Sequence, residues 1–358
     1  MMNKCTLLID GNWLLMSRVH VMTKGFKMNN TEWEKEKSTQ ELEELMVRSI
    51  NIILNRFVNV VDNIILITDG GSWRKQLPKP FLMKDDIYKG NRVQTEELDW
   101  HYIYKSLNNI QSRFNELGIT CCHDSNIEGD DWVWYWSRRL NDEGINTIIW
   151  SSDNDLKQLV QVKNFAFTAW YNDKNGLFLH NSLKTDVMDD LDFFMTQEKE
   201  SPTLKSLKKM CEKYDYIDPM NIITSKIVCG DTGDNIKSLI RIKKGSRNYK
   251  VGEKEWENCK NDIGIDTLEM FFENRDTIID TLLSSSKYSG YCVDRESILE
   301  MFDYNTKLVW LDEKVIPNNI VYCMNECEYK NYDLSYIRNN FKVMLQQDNS
   351  IEKLFDGI

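Results

Sequence analysis

Three aspartates each follow a short apolar run that is typical of a buried strand. They are Asp10, Asp69 and Asp153, and the runs before them begin near Leu7, Ile64 and Ile148. In open parallel sheets the carboxyl ends of the strands form the ligand crevice, so acids distant in sequence can converge there. One such acid is usually a turn residue or a helix N-cap. Three in one chain favour a shared site.

Further acids occur in local clusters. Glu128 and Asp131 are three positions apart with Asp130 between them, and they open a helical run at its positive end. Asp153 and Asp155 flank one asparagine. Helix capping or an Asx-turn would explain either cluster taken alone. A further acid pair lies just before a basic stretch, and its members are Asp231 and Asp234.

Brought together, these carboxylates would repel one another unless cations sat among them. Hard oxygen ligands suit Mg²⁺ or Mn²⁺. Two such ions roughly 3.5–4 Å apart can activate water and stabilise the leaving oxygen of a phosphodiester. The predicted metal ligands are Asp10, Asp69, Glu128, Asp130, Asp131, Asp153, Asp155, Asp231 and Asp234. Of these, the predicted catalytic acids are Asp10, Asp69, Glu128, Asp131, Asp153 and Asp155.

The net charge of −11 does not exclude nucleic acid as a partner, because binding follows local basic patches. Basic residues gather at positions 84–92, 205–213 and 237–250. The nine cysteines form no metal-type pairs; Cys323 and Cys327 come closest but lack further ligands at suitable spacing. With no export signal and no apolar run of membrane length, we expect a cytoplasmic protein without a membrane partner.

The element pattern alternates between strands and helices. Strands are predicted at residues 6–9, 63–68 and 145–150, with weaker signals at 120–123 and 165–170, and helices at 32–58, 95–117 and 130–141. Such alternation indicates a parallel sheet of the α/β class. From about Asp192 onward the strand signal fades into polar, Lys-rich helical segments. We therefore predict domains at residues 1–215 and 216–340, followed by a tail at 341–358.

Several motifs occur together in a fixed order. They are Leu8-Ile9-Asp10, Thr68-Asp69-Gly70, Tyr88-Lys89-Gly90-Asn91-Arg92, Glu128-Gly129-Asp130-Asp131, Ser151-Ser152-Asp153-Asn154-Asp155 and Gly230-Asp231 through Asp234-Asn235. In this order they resemble the 5′-nuclease (flap endonuclease) family, and most of all its bacteriophage branch that removes RNA primers. The similarity is densest over residues 60–240 and returns at residues 304–312.

The resemblance implies a PIN-like α/β nuclease domain followed by a helical domain with a helix-three-turn-helix that begins at Asp231. In such enzymes the acids that match the predicted metal ligands of this chain bind two divalent metals at the scissile phosphate. Residues matching Lys89 and Arg92 act in catalysis and in nucleic-acid binding from an arch, here about residues 71–117, through which the 5′ strand passes. Where a Gly-rich turn is usual, this chain has basic residues that we expect to contact phosphate: Arg241, Lys243 and Lys244.

The activity implied is that of a 5′→3′ exonuclease and flap endonuclease on duplex, flap and RNA–DNA hybrid substrates, with ribonuclease H activity during phage replication. The expected cofactor is a pair of Mg²⁺ ions, which Mn²⁺ can replace. We expect a monomer in the host cytoplasm whose partners are DNA, RNA–DNA hybrid, single-stranded-DNA-binding protein and the sliding clamp. The apolar residues at positions 350–358 are explained most simply as a frayed terminus, and the alternative is a short peptide that docks on the clamp.

Two other functions remain open from the residues. A haloacid-dehalogenase-type phosphatase also carries a strand-end aspartate and a Gly-Asp element. Its nucleophile motif requires Asp-x-Asp, whereas this chain has Asp10-Gly11-Asn12, and it has no use for Glu128 or Asp131. The other alternative is a non-catalytic nucleic-acid-binding scaffold, which the repulsion among a full set of acids disfavours.

Overall fold

Two compact units make up the chain in the computed structural model, which describes residues 5–29, 34–83, 86–91, 98–184, 201–244, 246–288 and 294–346. The first unit contains Met1–Gly71, Thr95–Ile217 and Asn319–Ile358. The second contains Ser72–Gln94 and Asp218–Asn318. No helix among the described residues is long and apolar enough to cross a membrane.

An eight-stranded sheet is the centre of the first unit. Its strands are β1 (Cys5–Asp10), β2 (Val61–Ile67), β3 (Thr120–Cys122), β4 (Asn146–Trp150), β5 (Gln161–Lys163), β6 (Ala166–Asn172), β7 (Gly176–His180) and β8 (Tyr214–Ile217). They run in the order β3-β2-β1-β4-β6-β7-β8, and β5 pairs with β6. All pairs are parallel except β5 with β6 and β6 with β7.

Each central strand contains a buried apolar run, as expected where both faces of a parallel sheet are covered. Leu7 of β1 pairs in register with Ile64 of β2 and Ile148 of β4, and all three side chains are fully buried. The predicted α/β class with a mostly parallel sheet is therefore confirmed. The predicted strands at residues 120–123 and 165–170 are also present, as β3 and β6.

Seven helices are described in the first unit: α1 (Gly11–Asn29), α2 (Lys35–Arg56), α3 (Trp100–Glu116), α4 (Gly129–Asp142), α5 (Pro202–Met210), α11 (Asn318–Asn325) and α12 (Leu334–Gln346). Helix α1 begins directly after Asp10 and was absent from the sequence prediction. The predicted helices at 32–58, 95–117 and 130–141 correspond to α2, α3 and α4. Within the predicted arch, α3 belongs to the first unit and Ser72–Gln94 to the second.

The C-terminal helix α12 packs into the core of the first unit. Phe341 is fully buried and stacks on Phe114 at 5.2 Å between ring centroids. Arg338 donates from Nη2 to the carbonyl oxygen of Leu54 at 2.9 Å. The prediction that one domain covers residues 216–340 therefore needs correction at its end, since the second unit stops at Asn318. The tail predicted at 341–358 begins inside α12, and residues 347–358 lie outside the described part of the chain.

The second unit has its own helical core. Its helices are α6 (Pro219–Cys229), α7 (Glu253–Ile263), α8 (Leu268–Glu273), α9 (Arg275–Ser284) and α10 (Arg295–Val309). Trp256, Phe271 and Phe302 lie fully buried at its centre. A helical C-terminal region was predicted and is present.

Between α6 and α7 lies an antiparallel hairpin of β9 (Arg241–Lys244) and β10 (Arg247–Lys250). The prediction that helical segments replace strands after about residue 192 therefore missed this hairpin and β8. Alternation of apolar and charged residues around Ile242 and Tyr249, with Gly245-Ser246 between the strands, is a hairpin signal that the lysine content obscured.

Candidate active site

Asp10 lies at the carboxyl end of β1, at the centre of the sheet. The Ser151 hydroxyl donates to its Oδ2 at 2.6 Å, and the Trp13 backbone N–H donates to Oδ1 at 2.9 Å. Burial raises the pKa of Asp10 to about 7; the two hydrogen bonds oppose this rise, and the charges of Asp69 and Asp153 add to it. A carboxylate at this position therefore lacks compensating positive charge.

Asp69 follows β2, the neighbour of β1. Its backbone N–H donates to Oδ1 of Asn12 at 2.9 Å, and its own Oδ1 accepts the backbone N–H of Gly129 at 2.6 Å. The next residue must be glycine, since a Cβ on Gly70 would lie 1.5 Å from the carbonyl oxygen of Asp124. The Asp-Gly motif is thus explained by a close approach of two loops at the sheet edge.

Asp153 and Asp155 follow β4 on the other side of β1. The Asp153 backbone N–H donates to the Ser151 hydroxyl oxygen at 3.0 Å, and Oδ1 of Asp153 accepts the Asp155 N–H at 2.9 Å. Ser151 therefore contacts both Asp10 and the Asp153 turn. The Asx-turn considered for this cluster is present, and it orients the Asp153 side chain beside Asp10.

Glu128 is the N-cap of α4, and Asp130 and Asp131 lie in its first turn. Glu128 and Asp131 are buried, whereas Asp130 is half-buried. The positive end of the helix favours acids here. Because the Gly129 N–H of the same turn binds Asp69, α4 begins beside the residue that ends β2.

The structure thus brings Asp10, Asp69 and Asp153 to one sheet edge, as predicted from their strand-end positions. Within the described ranges, no three His, Cys, Asp or Glu side chains stand close enough to hold a metal ion. Hydrogen-bond donors of the chain hold both oxygen atoms of Asp10 and Oδ1 of Asp69. The donor set itself suits a hard cation, since it consists of carboxylates and Asp10 is deficient in positive charge.

Several residues at this edge were missed from sequence. Ser151 and Asn12 hold the acids, and both stand inside the quoted motifs, so their positions were a usable signal. The Thr68 hydroxyl oxygen accepts from Gln111 Nε2 at 2.5 Å and lies 3.1 Å from Nδ1 of His123. Those contacts depend on how α3 and β3 pack beside β2, which no spacing in the sequence reveals.

Helix α3 carries a further side chain toward the acids. Tyr104 lies about 10 Å from Gln111 along the same face of the helix. Tyr104 is 39% exposed; burial raises the pKa of its hydroxyl, and the charge of Asp69 adds to this rise. Tyr104 therefore borders the acidic edge.

Asp231 and Asp234 belong to the second unit, where each has a lysine partner. Lys226 binds Oδ2 of Asp231, and the Gly233 N–H donates to Oδ1 at 2.8 Å. Lys226 and this N–H lower the pKa of Asp231 against the opposing effect of burial. Lys89 Nζ lies 4.0 Å from Oδ2 of Asp234.

The backbone also joins residues 87–91 to this turn. The Lys89 N–H donates to the Asp234 carbonyl oxygen at 2.9 Å, and Asn91 Nδ2 donates to that of Thr232 at 2.8 Å. Asn235 Nδ2 donates to the Ile87 carbonyl oxygen at 2.9 Å. Lys89 and Asn235 both have left-handed φ angles, of 55° and 58°. Hydrogen bonds therefore join the turn at residues 87–91 to the turn at residues 231–235. Arg92 lies outside the described residues.

The hairpin of the second unit gathers positive charge. Its register pairs Lys250 with Arg241 and Arg247 with Lys244, so two of its four pairs set cation opposite cation. Like charges directly opposite each other destabilise a strand pair. Arg241 and Lys243 are exposed, and Arg241 lies 4.0 Å from Asp86.

Comparison with known proteins shows one matching family and several similar proteins. The family model "5′-3′ exonuclease, N-terminal resolvase-like domain" matches residues 5–188, just over half of the chain. A 5′-3′ exonuclease of Mycoplasmopsis pulmonis is 27% identical over 245 residues, covering 68% of this chain and 64% of that protein. A DNA polymerase I of Chloroflexus aurantiacus is 27% identical over 159 residues, covering 44% of this chain and 14% of the polymerase. The chain thus spans less than two thirds of the length of either relative.

Solved structures to which this chain is similar include the T5 D15 protein co-crystallised with metal ions. It is 17% identical, with a TM-score of 0.49, and the match covers 99% of this chain and 100% of that one. A T5 D15 flap endonuclease in complex with DNA and metal ions is 15% identical, also at 0.49, covering 96% and 100%. Scores below 0.5 are too low to transfer a site or an activity.

Proposed function

Because the chain belongs to the 5′-3′ exonuclease family, whose N-terminal resolvase-like domain matches residues 5–188, we propose that it is a nuclease that hydrolyses phosphodiester bonds from 5′ ends. The observation that carries the proposal is the convergence of Asp10, Asp69 and Asp153 at one edge of the parallel sheet. The raised pKa of Asp10, about 7, marks a place where a cation would be stabilised.

Divalent metals would be held by the carboxylates of Asp10, Asp69 and Asp153, with Glu128, Asp130, Asp131 and Asp155 as further predicted ligands. When bound, two Mg²⁺ or Mn²⁺ ions would lower the pKa of the attacking water and stabilise the leaving oxygen. Asp231 and Asp234 are also assigned to metal binding by the family resemblance. Their lysine partners, Lys226 and Lys89, would have to yield to a cation for that role.

Hydrogen bonds from residues of the chain orient the carboxylates of the site. Ser151 orients Asp10 through a 2.6 Å hydrogen bond and supports the Asp153 turn. The Gly129 backbone N–H fixes Oδ1 of Asp69 through a 2.6 Å hydrogen bond. A carboxylate set held in this way loses little side-chain freedom when a cation arrives.

The second unit would bind the nucleic-acid backbone. Arg241, Lys243 and Lys244 lie on the hairpin whose register sets cation opposite cation, and phosphates bound against the hairpin would relieve that repulsion. Lys89 and Arg92 would contact the phosphates near the cleaved bond, with Arg able to bind bidentately and Lys as a point charge.

At a finer level we place the protein with the ribonuclease H of T-even-type bacteriophages, a 5′→3′ exonuclease that removes RNA primers. The motif order supports this. Its substrates would be duplex, flap and RNA–DNA hybrid, and its partners single-stranded-DNA-binding protein and the sliding clamp. Deleting residues 350–358 should leave basal activity intact and abolish stimulation by the cognate clamp; unchanged stimulation would refute the docking role.

The phosphatase alternative has no structural observation in its favour. Asn12 stands where the second aspartate of an Asp-x-Asp nucleophile motif would be, and its oxygen accepts the Asp69 backbone N–H. It holds the second strand-end acid in place and has no carboxyl group with which to protonate a leaving group.

The proposal is tested with 5′-flap DNA, nicked duplex and RNA–DNA hybrid, each labelled at the 5′ end in one sample and at the 3′ end in another. With Mg²⁺, we expect short 5′-labelled products from all three substrates and RNA degradation in the hybrid. With EDTA, cleavage should stop while binding persists.

A small phosphomonoester serves as the control substrate. Hydrolysis of this ester with intact nucleic acids would favour the phosphatase. Binding of the flap without cleavage in Mg²⁺ or Mn²⁺ would favour the non-catalytic scaffold. Degradation starting from 3′ ends would contradict the proposed polarity.

A further inference from the structure

Two thiols that are far apart in sequence meet inside the first unit. The Sγ atoms of Cys122 and Cys327 lie 3.6 Å apart, across 205 positions of the chain. Cys122 is the buried last residue of β3, whereas Cys327 follows α11 and is partly exposed. The indole N–H of Trp136 donates to the Cys122 sulfur at 2.9 Å and fixes that thiol in place.

The two thiols differ in acidity. Burial raises the pKa of Cys122 well above its ordinary value. The hydrogen bond with Cys122 lowers the pKa of Cys327, and the positive charges of Lys330 and Arg139 act in the same direction. Cys327 is therefore the more acidic thiol of the pair, and the thiolate is the form that reacts with oxidants.

Cys327 begins a segment, residues 327–332, that is held to three strands by side-chain hydrogen bonds. The hydroxyls of Tyr329 and Thr6 lie 2.9 Å apart. The Lys330 N–H donates to the Thr120 hydroxyl oxygen at 2.9 Å. Tyr332 donates from its hydroxyl to the Ile64 carbonyl oxygen, also at 2.9 Å. In the reduced protein this segment, which leads into α12, is held by non-covalent contacts.

We propose that Cys327 and Cys122 are a peroxide-sensitive pair that closes into a disulfide and ties the segment 327–332 covalently to β3. The Cys327 thiolate attacks a peroxide oxygen, becomes a sulfenic acid and releases hydroxide. The Cys122 sulfur then attacks the sulfenic sulfur, and its proton leaves with the displaced hydroxyl as water. The two thiols lose two electrons, which reduce one peroxide molecule.

Closing the bond brings the sulfur atoms from 3.6 Å to about 2.05 Å. Cys122 lies in a sheet strand and is held by Trp136, so Cys327 on the partly exposed segment supplies the movement. Because the link closes a long loop, it restricts the unfolded chain strongly and should stabilise the first unit.

The test uses the full-length protein, first reduced and desalted, then treated with hydrogen peroxide and alkylated. We expect a Cys122–Cys327 cross-linked peptide in the mass map and faster migration on a non-reducing gel. The melting temperature should rise by about 5 °C and return to its starting value with dithiothreitol.

Variants separate this pair from the other thiols. Cys323→Ser, an exposed position four residues before Cys327, should keep the cross-link and the shift. Cys327→Ser and Cys327→Ala should lose both while leaving the reduced protein folded. The proposal is overturned if no cross-link forms, if the linkage maps to Cys121, or if the shift persists in both Cys327 variants.

Discussion

At the scale of single residues, the three aspartates Asp10, Asp69 and Asp153 have the same position relative to the sheet. Each follows a strand of the parallel sheet, so their charges accumulate at its carboxyl edge. Short hydrogen bonds from Ser151 and Gly129 hold the first two in fixed orientations. Positive charge from a cation is what this set lacks, and the consequences can be measured at individual positions.

Asp153→Asn and Asp155→Asn each remove one carboxylate charge without changing side-chain volume. We expect both variants to fold and to bind DNA, with cleavage reduced by orders of magnitude because a metal ligand is lost. Circular dichroism and single-turnover cleavage in Mg²⁺ measure the two properties. Asp142→Asn, which removes the exposed partner of Lys163 from the end of α4, is the control and should cleave normally. Near-normal cleavage by both site variants would remove these residues from the metal assignment.

Asp10 predicts a pH dependence of stability in the metal-free protein. Its pKa rises from 3.8 to about 7 on folding, so the folded state holds the proton more tightly than the unfolded chain. Its contribution to stability is therefore complete below about pH 4 and is lost as the pH rises to 7, by at most about 4 kcal/mol.

The free energy of unfolding of the wild type, relative to Asp10→Asn, should fall across this pH range in EDTA. Mg²⁺ should restore stability to the wild type at pH 8 and have little effect on the variant. A difference between the two proteins that stays constant from pH 4 to 7 would contradict the assigned cause.

Among secondary-structure elements, the turn at residues 87–91 and the turn at 231–235 form one hydrogen-bonded assembly in the second unit. Lys89 contributes both its backbone N–H and its ammonium group to Asp234. The basic hairpin of β9 and β10 belongs to the same unit. Two sets of cations with different surroundings should therefore have different roles.

Lys89→Ala and Arg92→Ala should reduce the single-turnover cleavage rate more than they weaken duplex binding, since both are assigned to the phosphates near the cut. Lys243→Ala and Lys244→Ala should mainly weaken binding and flatten its salt dependence. Rapid-quench kinetics and binding titrations at several salt concentrations measure the two effects. The same pure binding defect in all four variants would exclude this division of roles.

How far the sequence predicts these elements depends on whether their signal is local. Buried parallel strands such as β1 and β4 are short apolar runs, and the acid after each run marks the carboxyl edge, so the core and its edge were predictable. The hairpin was missed because lysine and arginine occupy the exposed alternate positions. The contacts of Thr68 with Gln111 and His123 depend on packing between α3 and β3, and local patterns contain no such information.

For the molecule as a whole, the order of the chain differs from the order of the compact units. The second unit is built from Ser72–Gln94 and Asp218–Asn318, while the C-terminal residues return to the first. Pairings across such distances in sequence cannot be deduced from composition, which is why the second domain was predicted to extend to residue 340. Helix α12 carries the contacts that assign the C-terminal residues to the first unit.

The variant Phe341→Ala tests whether helix α12 belongs to the core of the first unit. Because Phe341 is fully buried against Phe114, its loss should lower the free energy of unfolding by about 3–5 kcal/mol. Hydrogen exchange should accelerate in α2 and α3, the helices that α12 joins. Tyr336→Ala removes a ring that is 57% exposed on the same helix and should change stability by less than about 0.5 kcal/mol. Accelerated exchange confined to α6–α10 would show that α12 belongs elsewhere.

The central claim is that the acids at the carboxyl edge of the sheet hold the divalent metals on which cleavage depends. Calorimetric titration of Mn²⁺ into the nucleic-acid-free protein measures this directly, with the wild type compared with Asp10→Asn and Asp153→Asn. The account predicts saturable binding of about two ions to the wild type and the loss of at least one ion, or a large loss of affinity, in each variant. Equal stoichiometry and affinity in all three proteins would contradict it.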